Sequence, residues 1–409
     1  MNPLSRRALA AAIAAQSLAP AAALAVDRLV PSPYATIQAA IDAAGNADAV
    51  VVSPGTYREN LIVDGKGCTI RSASGNPADT IIDGSAATEP AVAFVGGAQA
   101  TIRGFTIRGG EAYNSSRCPN MPHTGGGICV DGASPTIEDN VVTANSACTG
   151  GNGIGVWEHS SPIIRRNRIV SNTPGPCSGG GAGGGGVMLE GGSADVVENV
   201  IENNDSAMDG GGIAATAGTH RIERNVVRNN HTWGYGGALA TGINGRRLSL
   251  ALTISGNLFH GNGAQDGTGG LYLDDGTVTM AGNTVAQNAG VQLFATNWGG
   301  NATSTDDVVD GGVQCQDGVF GGVGGRITFR SSLVSGIVTG LGCAFAPGTD
   351  GNVSGSPRFV APAQKDFHLR PDSPAVDAGV SVRDLAALDL DGEARTIGPL
   401  PDMGADEFA

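Results

Sequence analysis

A nine-residue pattern of apolar and polar positions recurs six times along this chain. Each copy has an apolar residue, an Asn three positions later, a second apolar residue two positions after that Asn, and a second Asn five positions after the first. The copies begin 27, 32, 26, 32 and 26 residues apart. The first Asn of each copy is Asn140, Asn167, Asn199, Asn225, Asn257 and Asn283, and the second is Asn145, Asn172, Asn204, Asn230, Asn262 and Asn288. A constant motif at variable spacing predicts a solenoid whose coils carry loops of different length.

The apolar positions of the motif predict strands whose side chains alternate between a narrow core and the outside. Asn suits the corners between such strands, because it tolerates left-handed dihedrals and bonds to backbone groups. Stacked Asn amides can also bond to one another along the solenoid axis. The fold predicted is all-β: a right-handed parallel β-helix of about ten coils.

The two ends of the solenoid are predicted to be capped. Thr36 can cap a short helix that ends before Gly45, and this helix would cover the first coil. The pattern changes at about residue 346. We therefore predict a signal peptide over 1–25, the β-helix with its N-terminal cap over 26–345, and a C-terminal capping segment over 346–409.

Candidate chemistry lies on the strands that follow the Gly-rich segments. Their first and third positions are apolar and predicted to face inward, so the fourth positions form a row predicted to face solvent. The row contains Asp131, Trp157, Glu190, Thr216, Thr241, Asp274 and Phe294. Carboxylates beside a flat aromatic ring suit sugar hydroxyls and a sugar face, whereas an ordinary solvated strand face is the alternative.

Two acids of this row are the candidate catalytic pair. Asp131 and Glu190 are predicted to stand two rungs apart, roughly 9–10 Å, which is the spacing of an inverting glycosidase. Glu158 is an alternative partner. Candidate substrate-binding residues are Trp157, Asp274 and three loop residues at the same corner: His231, Trp233 and Tyr235.

The arginines near the Asn corners are predicted to be structural. The residue before the first Asn is Asp139, Arg166, Glu198 and Arg224 in four successive coils, so opposite charges alternate along the stack. Glu202 and Arg228 repeat this arrangement. Paired arginines weaken the hypothesis of a lyase with an arginine base.

Charge and cysteine content restrict the partners and the compartment. The formal net charge is −14, which argues against nucleic acid and anionic membranes as partners. Residues 1–25 have the basic start and apolar run of an export signal. Seven cysteines allow three disulfides. Neighbours among Cys118, Cys148 and Cys177 could pair, Cys315 and Cys343 form another plausible pair, and Cys68 and Cys129 are undecided.

Two segments resemble a known family. Thr36–Ile41 with Val52–Asn60 resembles the first coil of the pectate-lyase-like right-handed parallel β-helix proteins. The tail is similar to the end of many secreted members, in Ser356–Phe359, Phe367–Gly379, Asp389–Arg395 and Pro401–Glu407. The resemblance implies the fold for nearly the whole mature chain. It leaves the activity open, because the superfamily includes lyases, hydrolases, esterases, epimerases and non-enzymatic surface proteins.

The functional expectation is a secreted or periplasmic monomer that interacts with a polysaccharide or cell-surface glycan. A polysaccharide-degrading enzyme, either an inverting glycosidase or a lyase, is the first alternative, and a non-enzymatic surface scaffold is the second. We assign no metal ligand and no cofactor, with calcium left open. No later apolar run in the sequence has the length of a membrane span.

Overall fold

The chain folds as a solenoid of parallel strands, as the repeats predict. The computed structural model describes residues 25–177, 183–242, 249–296, 300–316, 324–380 and 387–408. Apart from Ala25, the predicted signal peptide lies outside these residues. Most coils contribute one strand to each of three long sheets, and each strand pairs with its counterparts in the neighbouring coils.

The first sheet precedes the first Asn column. Its strands are Asp27–Val30, Ala49–Val52, Thr69–Ser72, Thr101–Arg103, Thr136–Glu138, Ile163–Arg165, Asp195–Val197, the second half of Ile213–Glu223, Leu250–Ser255, Thr277–Ala281, Asn301–Thr305, Arg326–Arg330 and Cys343–Ala344.

The second sheet lies between the two Asn columns. Its strands are Gly55–Tyr57, Thr80–Asp83, Thr106–Arg108, Val141–Thr143, Arg168–Val170, Val200–Glu202, Val226–Arg228, Leu258–His260, Thr284–Ala286, Val308–Asp310, Leu333–Val334 and Val353–Ser354. Within the described residues these strands form twelve rungs, against the roughly ten counted from the sequence.

The third sheet follows the long loops and carries the predicted row. Its strands are Leu61–Asp64, Val92–Val95, Ile128–Val130, Ile154–Val156, Val187–Glu190, the first half of Ile213–Glu223, Leu239–Thr241, Leu271–Leu273, Leu293–Ala295, Val313–Cys315 and Val338–Thr339.

Short strands tie the loops together. One small sheet contains Glu111–Ala112, Ser146–Ala147 and Thr173–Pro174, and another contains Asp205–Ser206, His231–Thr232 and Gly263–Ala264. The helix Ile37–Ala43 buries Ile37, Ala40 and Ile41 against the first coil, and the Thr36 hydroxyl accepts a hydrogen bond from Ala39 N at 3.1 Å. It is the predicted N-terminal cap.

The C-terminal segment folds back along the outside of the second sheet. It contains an antiparallel pair, Phe359–Ala361 with Asp366–Leu369, around the 3-10 helix Pro362–Gln364. Its buried apolar residues share one cluster with outward-facing residues of the second sheet: Phe359, Phe367, Leu369, Ala375 and Met403 with Ala286, Val308 and Leu333.

Both Asn columns form continuous ladders. In each, Nδ2 and the backbone N–H of one Asn donate to Oδ1 of the Asn in the next coil, as from Asn199 to Asn225 at 3.0 and 2.9 Å. The left-handed residue at each corner is the one before the Asn, for example Arg166 (φ 52°) and Glu198 (φ 57°). The prediction of ladders is confirmed, whereas the Asn itself does not supply the left-handed backbone.

Three disulfides connect Cys118 with Cys129, Cys148 with Cys177, and Cys315 with Cys343, and Cys68 is a buried free thiol. The pair Cys315–Cys343 is confirmed, as is pairing between the neighbours Cys148 and Cys177. Cys118 instead pairs within its own loop and strand. Among the described residues, the helices are too short or too polar to cross a membrane.

Candidate functional site: aromatic rings and carboxylates on the third sheet

Three members of the predicted row occupy equivalent positions on successive strands. Val130 pairs with Val156, and Val156 pairs with Leu189. The residues that follow them are Asp131, Trp157 and Glu190. The structure therefore places these three side chains on consecutive rungs, in the predicted order.

The predicted exposure of this part of the row is wrong. Asp131 is only 6% exposed, and its carboxylate accepts hydrogen bonds from Asn120 N at 3.2 Å and Asn120 Nδ2 at 2.9 Å. Trp157 is half-buried against a cluster that contains Cys118, Met121 and Cys129. The long loop before the strand folds over the row, and the Cys118–Cys129 disulfide joins this loop to the strand.

The remaining acids lie nearer to solvent. Glu190 is half-buried and Glu158 is exposed. Gly191 has φ 90°, a conformation that favours glycine, and a Cβ atom placed there would stand 2.7 Å from Glu158 Cγ. The catalytic roles of Asp131, Glu190 and Glu158 stay predictions.

Three members of the predicted row, Thr216, Thr241 and Phe294, occupy other strand positions than the predicted ones. Leu239, not Ala238, pairs with Ile213, because Ala238 occupies the position that Gly212 has in the preceding coil. Thr241 is consequently buried in an inward position. Asp274 keeps its outward position, although it is buried. A register shift after Leu189 pairs Glu190 with Ala217, so Thr216, which is also buried, does not continue the row.

Another shift occurs in the connection between Ala286 and Leu293. Leu293, not Val291, pairs with Leu271. Phe294 therefore stands beside Tyr272 on the outer face of the sheet, at the position after the first inward residue.

This register assembles an aromatic surface, which we define as Tyr235, Tyr272 and Phe294. The rings of Tyr235 and Tyr272 are stacked, with centroids 4.6 Å apart and planes 14° from parallel. Phe294 meets Tyr272 edge-on at 5.7 Å. Trp233, on the same loop as Tyr235, is 60% exposed.

Two carboxyl groups with perturbed pKa values border the aromatic surface. Burial raises the pKa of Asp274, which is 5% exposed, and the neighbouring Asp275 raises it further, although hydrogen bonds from Thr296 and Tyr272 oppose this. Burial likewise raises the pKa of Asp209, whose Oδ1 accepts a 2.8 Å hydrogen bond from Tyr235 N. The charges of Asp274 and Asp266 add to that increase. Burial beside these acids also raises the pKa of Tyr272.

The structure thus brings Tyr235 and Asp274 together, with Trp233 on the loop that carries Tyr235. His231 is exposed, and its Nδ1 lies 3.0 Å from Asp205 Oδ1 on the neighbouring rung. Sequence reasoning missed Asp209 and Tyr272. Aligning the outward second positions of the strands, as well as the fourth, would have found Tyr272.

The arginines are paired as predicted. Arg166 Nε lies 2.9 Å from Asp139 Oδ1, and Arg224 forms an ion pair with Glu198. Glu202 accepts hydrogen bonds from Arg168 at 2.7 Å and from Arg228 at 2.8 Å. These contacts link adjacent rungs, so the arginines stabilise the stack.

One cluster could hold a metal ion, although no metal ligand was predicted. His368, Asp391 and Asp406 meet in the C-terminal segment. The hydrogen bond with Asp366 is the main cause that raises the pKa of His368 to about 9. Burial raises the pKa of Asp406 to about 7. These residues come from segments far apart in sequence, so no local motif marks them.

Comparisons with known proteins agree with the architecture. The family described as "Right handed beta helix region" matches residues 44–264 and 177–345. The structure is similar to the crystal structure of pectate lyase Pel9A, with a TM-score of 0.55 and 15% sequence identity. That match covers 91% of this chain and 90% of the other. No curated protein gives a significant sequence match.

The match to Pel9A concerns the fold alone, because the identity is low. The family match covers more than half of the chain and confirms both the predicted fold and its hand. This chain belongs to the right-handed β-helix family.

Proposed function

We propose that this protein is exported and binds polysaccharide through the aromatic surface and the adjacent carboxyl groups. The observation that carries the proposal is the arrangement of Tyr235, Tyr272 and Phe294 beside Asp209 and Asp274. Aromatic faces offer an apolar surface to the C–H groups of a sugar ring, and neighbouring oxygens can bond its hydroxyls. Trp233 would extend this surface.

Export is supported by the disulfides and by the predicted signal. Disulfides persist in oxidising compartments, and this chain has three. The structural similarity to a pectate lyase favours a polysaccharide as the ligand class. A monomer is expected, because closed coils present their binding residues without a second subunit.

Affinity electrophoresis tests the proposal. The protein is run through gels that contain neutral or acidic polysaccharides, with and without calcium. At least one polysaccharide should retard it. Tyr235→Ala should raise the dissociation constant for that polysaccharide about fivefold, since an aromatic contact contributes on the order of 1 kcal/mol. Phe408→Ala, which removes a partly exposed ring in the C-terminal segment, is the matched control and should bind like the wild type.

Trp157→Ala separates this surface from the row predicted by sequence alone. We expect little change, because the loop over Asp131 already covers much of Trp157. If Trp157→Ala weakens polysaccharide binding and Tyr235→Ala does not, the binding site is instead formed by Asp131, Trp157 and Glu190. Absence of retardation by every polysaccharide would favour the surface scaffold.

A polysaccharide-degrading enzyme is the second candidate, and the raised pKa values of Asp209 and Asp274 favour it. A glycosidase needs one carboxyl group that stays protonated near neutral pH and a second that is ionised. Release of reducing ends, abolished by Asp209→Asn or Asp274→Asn, would support this candidate. If Asp131→Asn or Glu190→Gln abolishes the release of reducing ends, and Asp209→Asn and Asp274→Asn do not, the catalytic pair predicted from the sequence is supported.

A further inference from the structure

The C-terminal segment places three ligand atoms within bonding range of one ion. His368 Nε2 lies 2.8 Å from Asp391 Oδ2 and 3.8 Å from Asp406 Oδ2. The three ligand atoms all lie within 4.8 Å of one another. Each comes from a different part of the segment: the strand Asp366–Leu369, the turn after Asp389, and the chain near Glu407.

The imidazole is held in the orientation of a metal ligand. His368 Nδ1 lies 2.5 Å from Asp366 Oδ1, on the side of the ring opposite Asp391 and Asp406. In metal sites a carboxylate commonly holds the second ring nitrogen in this way, which fixes the ring and leaves Nε2 for the ion.

Two buried polar atoms at this place make no hydrogen bond within the described residues. Asp406 Oδ2 is shielded from solvent and makes no hydrogen bond within the part of the chain that the structure describes. His260 is 2% exposed, and its Nδ1 is also without a hydrogen bond there. Both residues line one cleft of about 180 Å³, together with His368 and Asp391. Buried polar groups normally have partners, and an ion with its bound water in this cleft would supply them.

We propose that His368, Asp391 and Asp406 bind a zinc ion. Tetrahedral bonds of about 2.0–2.1 Å place ligand atoms roughly 3.4 Å apart, between the two separations observed here. The cleft leaves room for water as the fourth ligand. Calcium fits poorly, because it takes six to eight oxygen ligands, whereas zinc combines imidazole with carboxylates.

The ion would join three parts of a segment that has little secondary structure. This segment packs on the second sheet through Phe359, Phe367 and Met403. Zinc would therefore act as a clamp that keeps the segment folded on the solenoid, and it lies apart from the aromatic surface.

Equilibrium dialysis of the chelator-treated full chain against zinc alone tests the site. We expect one zinc ion per chain. His368→Ala and Asp391→Asn should each weaken binding at least tenfold. His231→Ala is the matched control, because it removes another exposed His paired with an Asp and should leave binding unchanged.

Thermal unfolding provides a second readout. Zinc should raise the melting temperature of the wild type and of His231→Ala, and should leave that of His368→Ala unchanged. Because the Asp391 side chain is half exposed, Asp391→Asn is expected to fold. If His368→Ala does not fold, zinc binding by Asp391→Asn tests the site. No zinc bound by the wild type, or equal binding by Asp391→Asn, would overturn the proposal.

Discussion

At the residue scale, the Asn side chains satisfy backbone groups that the corners of the coil leave unpaired. Asn225 accepts from Asn199 and donates to Val196 O at 2.8 Å, Glu223 O at 3.1 Å and Asn257 Oδ1 at 3.0 Å. The residue before it, Arg224, takes the left-handed turn at φ 50°. The sequence predicted the columns because their spacing repeats, but one-letter patterns do not show which of two adjacent residues bends the backbone.

Replacing one rung of the ladder should be costly. Asn225→Ala removes the acceptor that both Asn199 N–H and Asn199 Nδ2 use, and a buried polar group left unpaired costs about 1–3 kcal/mol. We expect urea unfolding to show a loss of roughly 2–5 kcal/mol. The control Asn301→Ala, on an exposed strand position, should stay within about 0.5 kcal/mol of the wild type. If Asn225→Ala and Asn301→Ala lose the same free energy of unfolding, the ladder contributes no more stability than ordinary strand contacts.

The first column continues beyond the six repeats through residues of other types. Asn283 donates from its backbone N–H and Nδ2 to Asp307 Oδ1, at 2.7 and 2.8 Å. Asp307 N donates to Ser332 Oγ, and Ser332 N donates to Asn352 Oδ1. A side chain of another type can continue the ladder if it places an oxygen acceptor at the same position. A search for Asn alone therefore misses the later rungs of the column.

Asp307 should make stability depend on pH. Burial raises its pKa to about 6, whereas an unfolded Asp titrates near 3.8. The folded state therefore binds the proton more tightly, and stability falls as pH rises from about 4 through 6. Asp307→Asn keeps an oxygen for Asn283. It should be more stable than the wild type at pH 8, by on the order of 1–3 kcal/mol, and similar at pH 4.

Urea unfolding of both proteins at pH 4, 6 and 8 measures this difference. Asp42→Asn, an exposed carboxylate on the N-terminal helix, is the control and should follow the wild type at each pH. A constant difference between Asp307→Asn and wild type across this range would contradict a raised pKa.

At the element scale, alternation predicted which strand residues face the core, and loops decided which outward residues reach solvent. Ile128, Val130, Ile154 and Val156 are buried in the core as predicted. The outward Cys129 is also buried, because the loop brings Cys118 and Met121 over it. Cysteine pairing within one loop cannot be read from spacing when several partners are available, so the cover over Asp131 was not predictable.

The disulfide should hold this cover in place. Changing Cys118 and Cys129 together to Ser should loosen the loop, although Arg117 still donates to Asn60 O. Trypsin should then cleave after Arg117 at least several times faster than in the wild type, because locally opened backbone is cleaved preferentially. Mass spectrometry of the fragments measures the rate.

The matched control changes Cys315 and Cys343 together to Ser, which opens a disulfide in a distant coil. It should leave cleavage after Arg117 unchanged. If both double variants are cleaved there at the wild-type rate, apolar packing alone keeps the loop closed.

At the scale of the whole molecule, the outer faces of the second and third sheets differ in what covers them. Outward residues of the second sheet are charged in the middle coils, as in Arg168, Glu202 and Arg228, and become small or apolar in the later coils, as in Ala286 and Leu333. The C-terminal segment packs on these later coils. The change in outward residues was visible in the sequence, but the docking direction depends on contacts between distant segments.

On the third sheet, one register shift occurs at Ala238, and a second at Leu293 brings Phe294 beside Tyr272. Neither shift follows from the apolar pattern alone, because Ala and Val fit both positions. The family and the fold were therefore predictable from the sequence, whereas the aromatic surface depends on the register of strands that the apolar pattern does not determine.

Hydroxyl-radical footprinting with the polysaccharide that binds in the gel panel tests the central claim most directly. Bound polysaccharide should lower the oxidation of Trp233, Tyr235 and Tyr272, and should leave oxidation of Trp157 and Phe408 unchanged. Protection at Trp157 with none at Tyr235 and Tyr272 would contradict the proposed surface.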